Sequence, residues 1–202
     1  FGKPCGLLDQ MTSSVGSFVE IDFADPANPV IEKLDFDFAS CGYALCIVDT
    51  GGSHSDLTDE YAAVRKEMES VAEYLGKSVL REVDEDEFMK NIADIRSSCG
   101  DRAVLRAMHF YGDNARVEKQ AAALKAGDFE TFKKYIIESG RSSYMYNQNV
   151  YSCKKASEQP VSLALSLSEK LLDGCGAWRV HGGGFAGTIQ AFVPLNKLDE
   201  YK

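Results

Sequence analysis

Apolar residues recur first at alternate positions, then at every third or fourth, and then at alternate positions again, which divides the chain into strands, helices and strands. Phe18-Val19-Glu20-Ile21-Asp22-Phe23 reads as a strand with one wet face, and Pro26 and Pro29 punctuate the turn after it. A second alternating stretch runs from Val30 to Phe38. Tyr43-Ala44-Leu45-Cys46-Ile47-Val48 is continuously apolar and ends in Asp49-Thr50-Gly51-Gly52, the pattern of a central strand buried on both faces.

The helical period begins with Tyr61, Val64, Met68, Val71, Ala72 and Leu75 and is closed by Gly76-Lys77. Further helices are predicted over Glu85 to Ile95, Asp101 to Tyr111, Asn114 to Lys125 and Asp128 to Ser139, with Asp128 as N-cap of the last. Pro160 is placed for the first turn of another, which carries Val161, Ala164, Leu165, Leu171 and Leu172 on one face and ends at Gly174. Ala177 to Val180 and Thr188 to Val193 return to strand, around Gly182-Gly183-Gly184-Phe185-Ala186-Gly187, and a new helical segment starts near Asp199. Strands separated by a helical block, without regular βαβ alternation, predict an α+β fold: a largely antiparallel sheet with helices covering one face.

Composition narrows the function. The chain has 202 residues, with 22 Lys and Arg against 31 Asp and Glu and a net charge of −9, the opposite of the basic surplus expected of a binder of nucleic acid or anionic membrane. Hydrophobic residues make up 45% and charged residues 26%, ordinary globular values, and enough chain is present to bury one sizeable core. No apolar run approaches the roughly 20 residues of a membrane span. Six cysteines without a CxxC pair, and distant from the histidines, predict reduced thiols in a cytoplasmic protein and no zinc site. The opening Phe1-Gly2-Lys3-Pro4-Cys5-Gly6 reads as the middle of a loop, and the whole as a piece of a longer protein.

Three places could carry chemistry. In Gly2-Lys3-Pro4-Cys5-Gly6-Leu7-Leu8-Asp9-Gln10 a glycine-bearing turn leads into a short helix with Asp9 in its opening turn, where free backbone N–H groups and the helix dipole favour the carboxylate a proton acceptor needs; Asp9 would also serve simply as a helix start. Gly182, Gly183 and Gly184 let a backbone approach a ligand or a neighbouring loop without Cβ interference, and equally suit a bulged hairpin. Tyr61 lies on an apolar stripe, so its ring is expected in the core, with a hydroxyl able to reach a ligand. His54 reads as a loop or capping residue, and His109 and His181 as structural.

These segments together resemble a family. Gly2 to Gln10 is similar to the catalytic segment of galactokinases, Asp49-Thr50-Gly51-Gly52-Ser53-His54-Ser55 with Glu60-Tyr61 to their sugar-contacting stretch, and Trp178 to Gly187 to the third signature of the wider GHMP small-molecule kinases. Arg106 to Val117, Gly127 to Ser143 and Gln159 to Leu172 also look galactokinase-like, so the resemblance covers nearly the whole chain and points to the C-terminal portion of such an enzyme.

The resemblance implies transfer of a phosphoryl group from ATP to the anomeric hydroxyl of α-D-galactose, with magnesium. Asp9 would take the proton of that hydroxyl, Gly6 would offer a backbone contact, the Tyr61 hydroxyl would bond the sugar, and Gly182, Gly183 and Gly184 would pack beside the active site. Residues 1–17 would form the catalytic loop and helix facing a missing N-terminal domain, and 18–202 the GHMP-type C-terminal domain. The family's Arg-x-Asn-x-x-Gly-Glu-His and Pro-x-Gly-x-Gly-x-Ser-Ser segments do not occur in the chain. They and the magnesium ligands are expected upstream of Phe1, and the piece alone is expected to be inactive. An N-acetylgalactosamine kinase and a galactose- and ATP-binding sensor are the alternative readings.

Overall fold

The structure, a computed structural model, describes residues 6–52 and 57–202. A short helix, α1 (Leu8–Val15), leads into a hairpin of β1 (Phe18–Asp22) and β2 (Val30–Leu34), and β3 (Tyr43–Asp49) follows. The helical block comprises α2 (Thr58–Tyr74), α3 (Glu85–Lys90), α4 (Ile92–Cys99), α5 (Asp101–Lys125), α6 (Phe129–Ser142) and α7 (Pro160–Leu172). The chain then closes with β4 (Ala177–Val180), β5 (Thr188–Pro194) and α8 (Leu198–Tyr201). Both sheets are antiparallel, which agrees with the α+β reading, but helices lie on both faces of the three-stranded one and not on a single face as expected: α6 packs on Ala177 and Phe192, α7 on Val180, Ile189 and Ala191.

The larger sheet has the order β3-β5-β4, so β5 is its centre and β3 an edge. This corrects the expectation of a central β3. Its apolar run serves two unequal faces: Val48 and Cys46 pack with Ile189, Ala191 and α7, whereas Leu45 and Ile47 remain 46% and 49% exposed. The reason is the placement of α6, which lies along β4 and leaves that part of β3 uncovered. Beneath α6, the rings of Phe129 and Phe132 meet Phe192 at 5.8 and 5.4 Å between centroids, and Phe18 from the hairpin and Phe36 and Phe38 from the segment after it join them. A separate cluster under α2 to α5 is built from Val71, Phe88, Ile95, Ala107 and Tyr111.

Two helix expectations change. The segments predicted on either side of Gly112 form one 25-residue helix, α5. Gly112 is accommodated because the Arg116 guanidinium folds over it, held by Asp113 at 3.1 Å. The segment predicted from Glu85 to Ile95 is instead divided at Asn91, whose Nδ2 donates to the Glu87 carbonyl at 2.8 Å. The alternation from Val30 ends as strand at Leu34, and a single helical turn follows at Phe38–Ser40, capped by Asp37.

Asp128 is the N-cap expected of it: its carboxylate accepts the Thr131 N–H at 3.0 Å at the start of α6. Since α6 carries Phe129 and Phe132 into the aromatic core, Asp128→Ala should lower the unfolding free energy by about 1 kcal/mol in a urea titration, with an unchanged denaturant slope.

Candidate active site

The hairpin between β4 and β5 turns through Gly182–Gly187, and the first turn of α2 faces it. The Tyr61 hydroxyl donates to the Gly184 carbonyl at 2.7 Å while its ring stands edge-on to Phe185 at 5.3 Å. Burial pushes the Tyr61 phenol up, so it keeps its proton across the neutral range. That proton is committed to Gly184, and any bond the hydroxyl makes to a ligand is therefore one it accepts. The same carbonyl takes the Ala186 N–H at 2.7 Å, so both of its lone pairs are used.

From the other side the loop is gripped by Asn149, a residue 5% exposed. Its backbone carbonyl accepts the Phe185 N–H at 2.5 Å, and its Nδ2 donates to the Gly183 carbonyl at 3.1 Å. The contacts are too close for side chains. A Cβ on Gly183 would lie 2.8 Å from the Tyr61 ring, and one on Gly184 would lie 1.9 Å from the Asn149 carbonyl oxygen, at a φ of +81°. Phe185 adopts a positive φ of 58°, a costly conformation for a bulky residue, which these bonds hold in place.

The turn after β3 is tied to the same loop. Thr50 donates to the Gly187 carbonyl through both its backbone N–H, at 2.8 Å, and its hydroxyl, at 2.6 Å. Asp49 accepts the Gly51 N–H at 2.9 Å, and a Cβ on Gly52 would touch Ala186 at 3.1 Å. Thus Asp49 to Gly52, Tyr61 and Gly182 to Gly187, separate in sequence, are one contiguous unit. Glu60, beside Tyr61, is buried and accepts the Ser152 hydroxyl at 2.7 Å.

Asp9 is placed differently. It occupies the first turn of α1, exposed, and makes no hydrogen bond or ion pair with a described residue. Helix α1 buries none of its residues, and Leu7 and Leu8 are 47% and 56% exposed. Gly6 precedes it, also exposed, with open space where a Cβ would stand. Gly2 to Cys5 and His54 lie outside the described residues. Both other histidines have structural partners: His109 Nδ1 meets the Ser142 hydroxyl at 2.9 Å, and His181 Nδ1 meets that of Thr188 at 3.0 Å.

The sequence reading missed Asn149 and, behind it, Arg106. Arg106 carried a signal, because a charged residue stands in the apolar stripe of Ala103, Val104, Ala107 and Tyr111. Asn149 had none, since Asn147-Gln148-Asn149 reads as an ordinary polar loop.

No family model matches the chain. It is 33% identical over 186 residues to galactokinase of Homo sapiens, covering 92% of this chain and 44% of that protein. It is 31% identical over 201 residues to galactokinase of Thermotoga neapolitana, covering 100% of this chain and 52% of that protein. The chain spans about half the length of the curated relatives it matches. Among solved structures, that of Lactococcus lactis galactokinase complexed with galactose shares the fold, with a TM-score of 0.71 at 21% identity over 99% of this chain and 49% of the other.

The two grips on the loop differ in tolerance. A Cβ on Gly182 meets nothing within 4 Å, so Gly182→Ala, at φ +68°, should cost about 1–2 kcal/mol from backbone strain alone. Gly184→Ala must also displace the Asn149 carbonyl and should cost at least about 3 kcal/mol. Chemical unfolding of the two variants side by side checks the ordering.

Proposed function

We propose that this chain, which belongs to the galactokinase family, supplies the sugar-facing part of an enzyme that transfers the γ-phosphoryl group of ATP to the anomeric hydroxyl of galactose. The observation that carries the reading is the convergence of Asp49 to Gly52, Tyr61 and the loop at Gly182 to Gly187 into one bonded unit, in a chain similar over its whole length to galactokinases.

Transfer of this kind asks a protein chiefly for positioning and for charge stabilisation. In the proposed step the Asp9 carboxylate accepts the proton of the sugar's anomeric hydroxyl. That oxygen forms its bond to the γ-phosphorus as the bond from phosphorus to the bridging oxygen of ADP breaks, giving galactose 1-phosphate and ADP. Tyr61 accepts a hydrogen bond from a sugar hydroxyl, and the Gly6 backbone lies close to the sugar. Gly182, Gly183 and Gly184 take no part in proton transfer; they hold Tyr61.

Among the described residues no three His, Cys, Asp or Glu side chains converge as a metal site, and no step here runs through magnesium. We assign its ligands and the ATP phosphate contacts to the other half of the protein, which the relatives' length supports. Residues 1–17 would then face that half, as the exposed Leu7 and Leu8 at the start of α1 favour, and 18–202 would form the domain behind them. No described helix is long and apolar enough to cross a membrane, and the substrates are those of the cytoplasm.

The test is galactose-dependent ADP release from this chain, from the same chain extended to its natural start, and from the extended chain carrying Asp9→Asn. Turnover is expected only from the extended wild type, with Asp9→Asn lower by about 10²–10⁴-fold, the usual contribution of a positioned acid or base. An extended wild type that binds galactose and ATP yet releases no ADP would overturn the catalytic reading in favour of a sensor.

A further inference from the structure

Tyr61 and the loop it bonds are connected a second time, through the protein interior. Arg106 on α5 is fully buried, at 0% exposure. Its Nη1 donates to Glu67 Oε2 at 2.8 Å, and its Nε donates to the Asn147 carbonyl at 3.0 Å. Glu67 lies on α2, the helix that begins with Tyr61's turn, and also receives Arg102, whose Nε stands 3.0 Å from both carboxylate oxygens. Asn147 ends a wide helical turn, Ser143–Asn147, and Gln148 follows in the left-handed conformation at φ 54°. The next residue is Asn149, which holds Gly183 and Phe185. The contacts therefore close a ring: Glu67 on α2, Arg106, Asn147, Asn149, the glycine loop, and Tyr61 back on α2.

Burying a guanidinium is expensive, and an apolar side chain of similar volume is often the more stabilising occupant of a core. Burial pulls the Arg106 guanidinium down, Glu67 opposes this, and the charge is retained. Packing alone does not account for an arginine here. Among the described residues its Nη2, and the Oδ1 atoms of Asn147 and Asn149, have no hydrogen-bond partner, so the site is not arranged to satisfy every polar group. What only an arginine does here is reach a carboxylate on one helix and a backbone carbonyl on the neighbouring turn with one rigid plane.

We propose that Arg106 is a positioning residue: by fixing the turn at Asn147–Asn149 relative to α2, it sets where Gly183 and Gly184 stand against Tyr61. The inference rests on the reading of Tyr61 as a sugar contact for its kinetic consequence, but not for its structural one. Lysine keeps the charge beside Glu67 and gives up the bond to Asn147, so Arg106→Lys is the informative change. Its comparison is Ile95→Val, a truncation in the cluster under α2 to α5, which shares no residue with the cluster of Tyr61, Phe185 and Ala186 at the loop.

The experiment uses the protein extended to its natural start and measures backbone amide exchange peptide by peptide, together with steady-state kinetics. Arg106→Lys should speed exchange across residues 182–187 about tenfold, the effect of one lost hydrogen bond to a charged donor, and leave residues 85–99 unchanged. The KM for galactose should rise about tenfold while that for ATP stays within about twofold, because the loss falls on sugar binding. A uniform rise in exchange resembling that of Ile95→Val, or fewer active molecules with an unchanged KM for galactose, would overturn the proposal. Should Arg106→Lys not fold, Glu67→Gln takes its place: faster exchange at 182–187 alone supports the proposal, and its absence overturns it. If the wild type turns over no galactose, the functional reading fails, and the exchange measurement still decides the role of Arg106.

Discussion

Among the described glycines the tightest place is Gly184, where a Cβ would lie 1.9 Å from the Asn149 carbonyl oxygen. No residue other than glycine occupies such a position without moving the main chain, so the spacing of the two segments and the identity of residue 184 are tied together. Much of the site follows from this contact. The Phe185 N–H is directed at Asn149, Phe185 is held at a positive φ, its ring is delivered to Tyr61, and the Gly184 carbonyl is turned to meet the phenol. The left-handed backbone at Phe185 costs conformational energy, and the hydrogen bonds on either side offset it.

Such a contact has value only on a rigid base, and the sheet supplies it. The loop joins β4 to β5, and β5 is the central strand, packed under α6 through Phe192 and under α7 through Ile189, Ala191 and Val193. The aromatic cluster reaches from the β1–β2 hairpin across Phe129 and Phe132 to Phe192, so a displacement of β5 would be felt by rings on several elements at once. Thr50 extends the same rigidity to the turn after β3 with two bonds to a single carbonyl.

How much of this could be read beforehand depended on whether the signal was local. The N-cap at Asp128, the proline opening α7 and the antiparallel strands around the glycine loop were legible, because each rests on the chemistry of neighbouring residues. The central place of β5 and the edge position of β3 were not: a continuous apolar run looks the same whether its second face meets a helix or water. Gly112 was misread as a boundary because its compensation, the Arg116 side chain folded over it, is visible only in three dimensions. In the candidate site, Tyr61 and the glycines were found from their residue types. Asn149 was not, since its importance comes from a backbone oxygen and from burial decided by residues far along the chain. The resemblance to galactokinases put Tyr61 and the loop at one active site, which the pattern of apolar positions did not. Neither foretold that the phenol's proton would be taken up by Gly184.

That last detail changes the chemistry asked of the site. A tyrosine that spends its proton on its own backbone offers a ligand an acceptor whose position is fixed by the loop, and not a rotor free to choose its partner. Asp9 has the opposite character. It stands on an exposed helix that buries no residue and touches chiefly β1, so nothing in the described fold restrains its carboxylate to the precision that phosphoryl transfer requires. The two halves of the proposed sugar site are therefore built on different principles, one locked into the core through Asn149 and Arg106, the other left to be positioned by whatever covers α1. An arrangement of this kind separates recognition from reaction. The sugar would be registered against a preformed wall, and the group that takes its proton would come into line only when the remainder of the protein holds α1 in place.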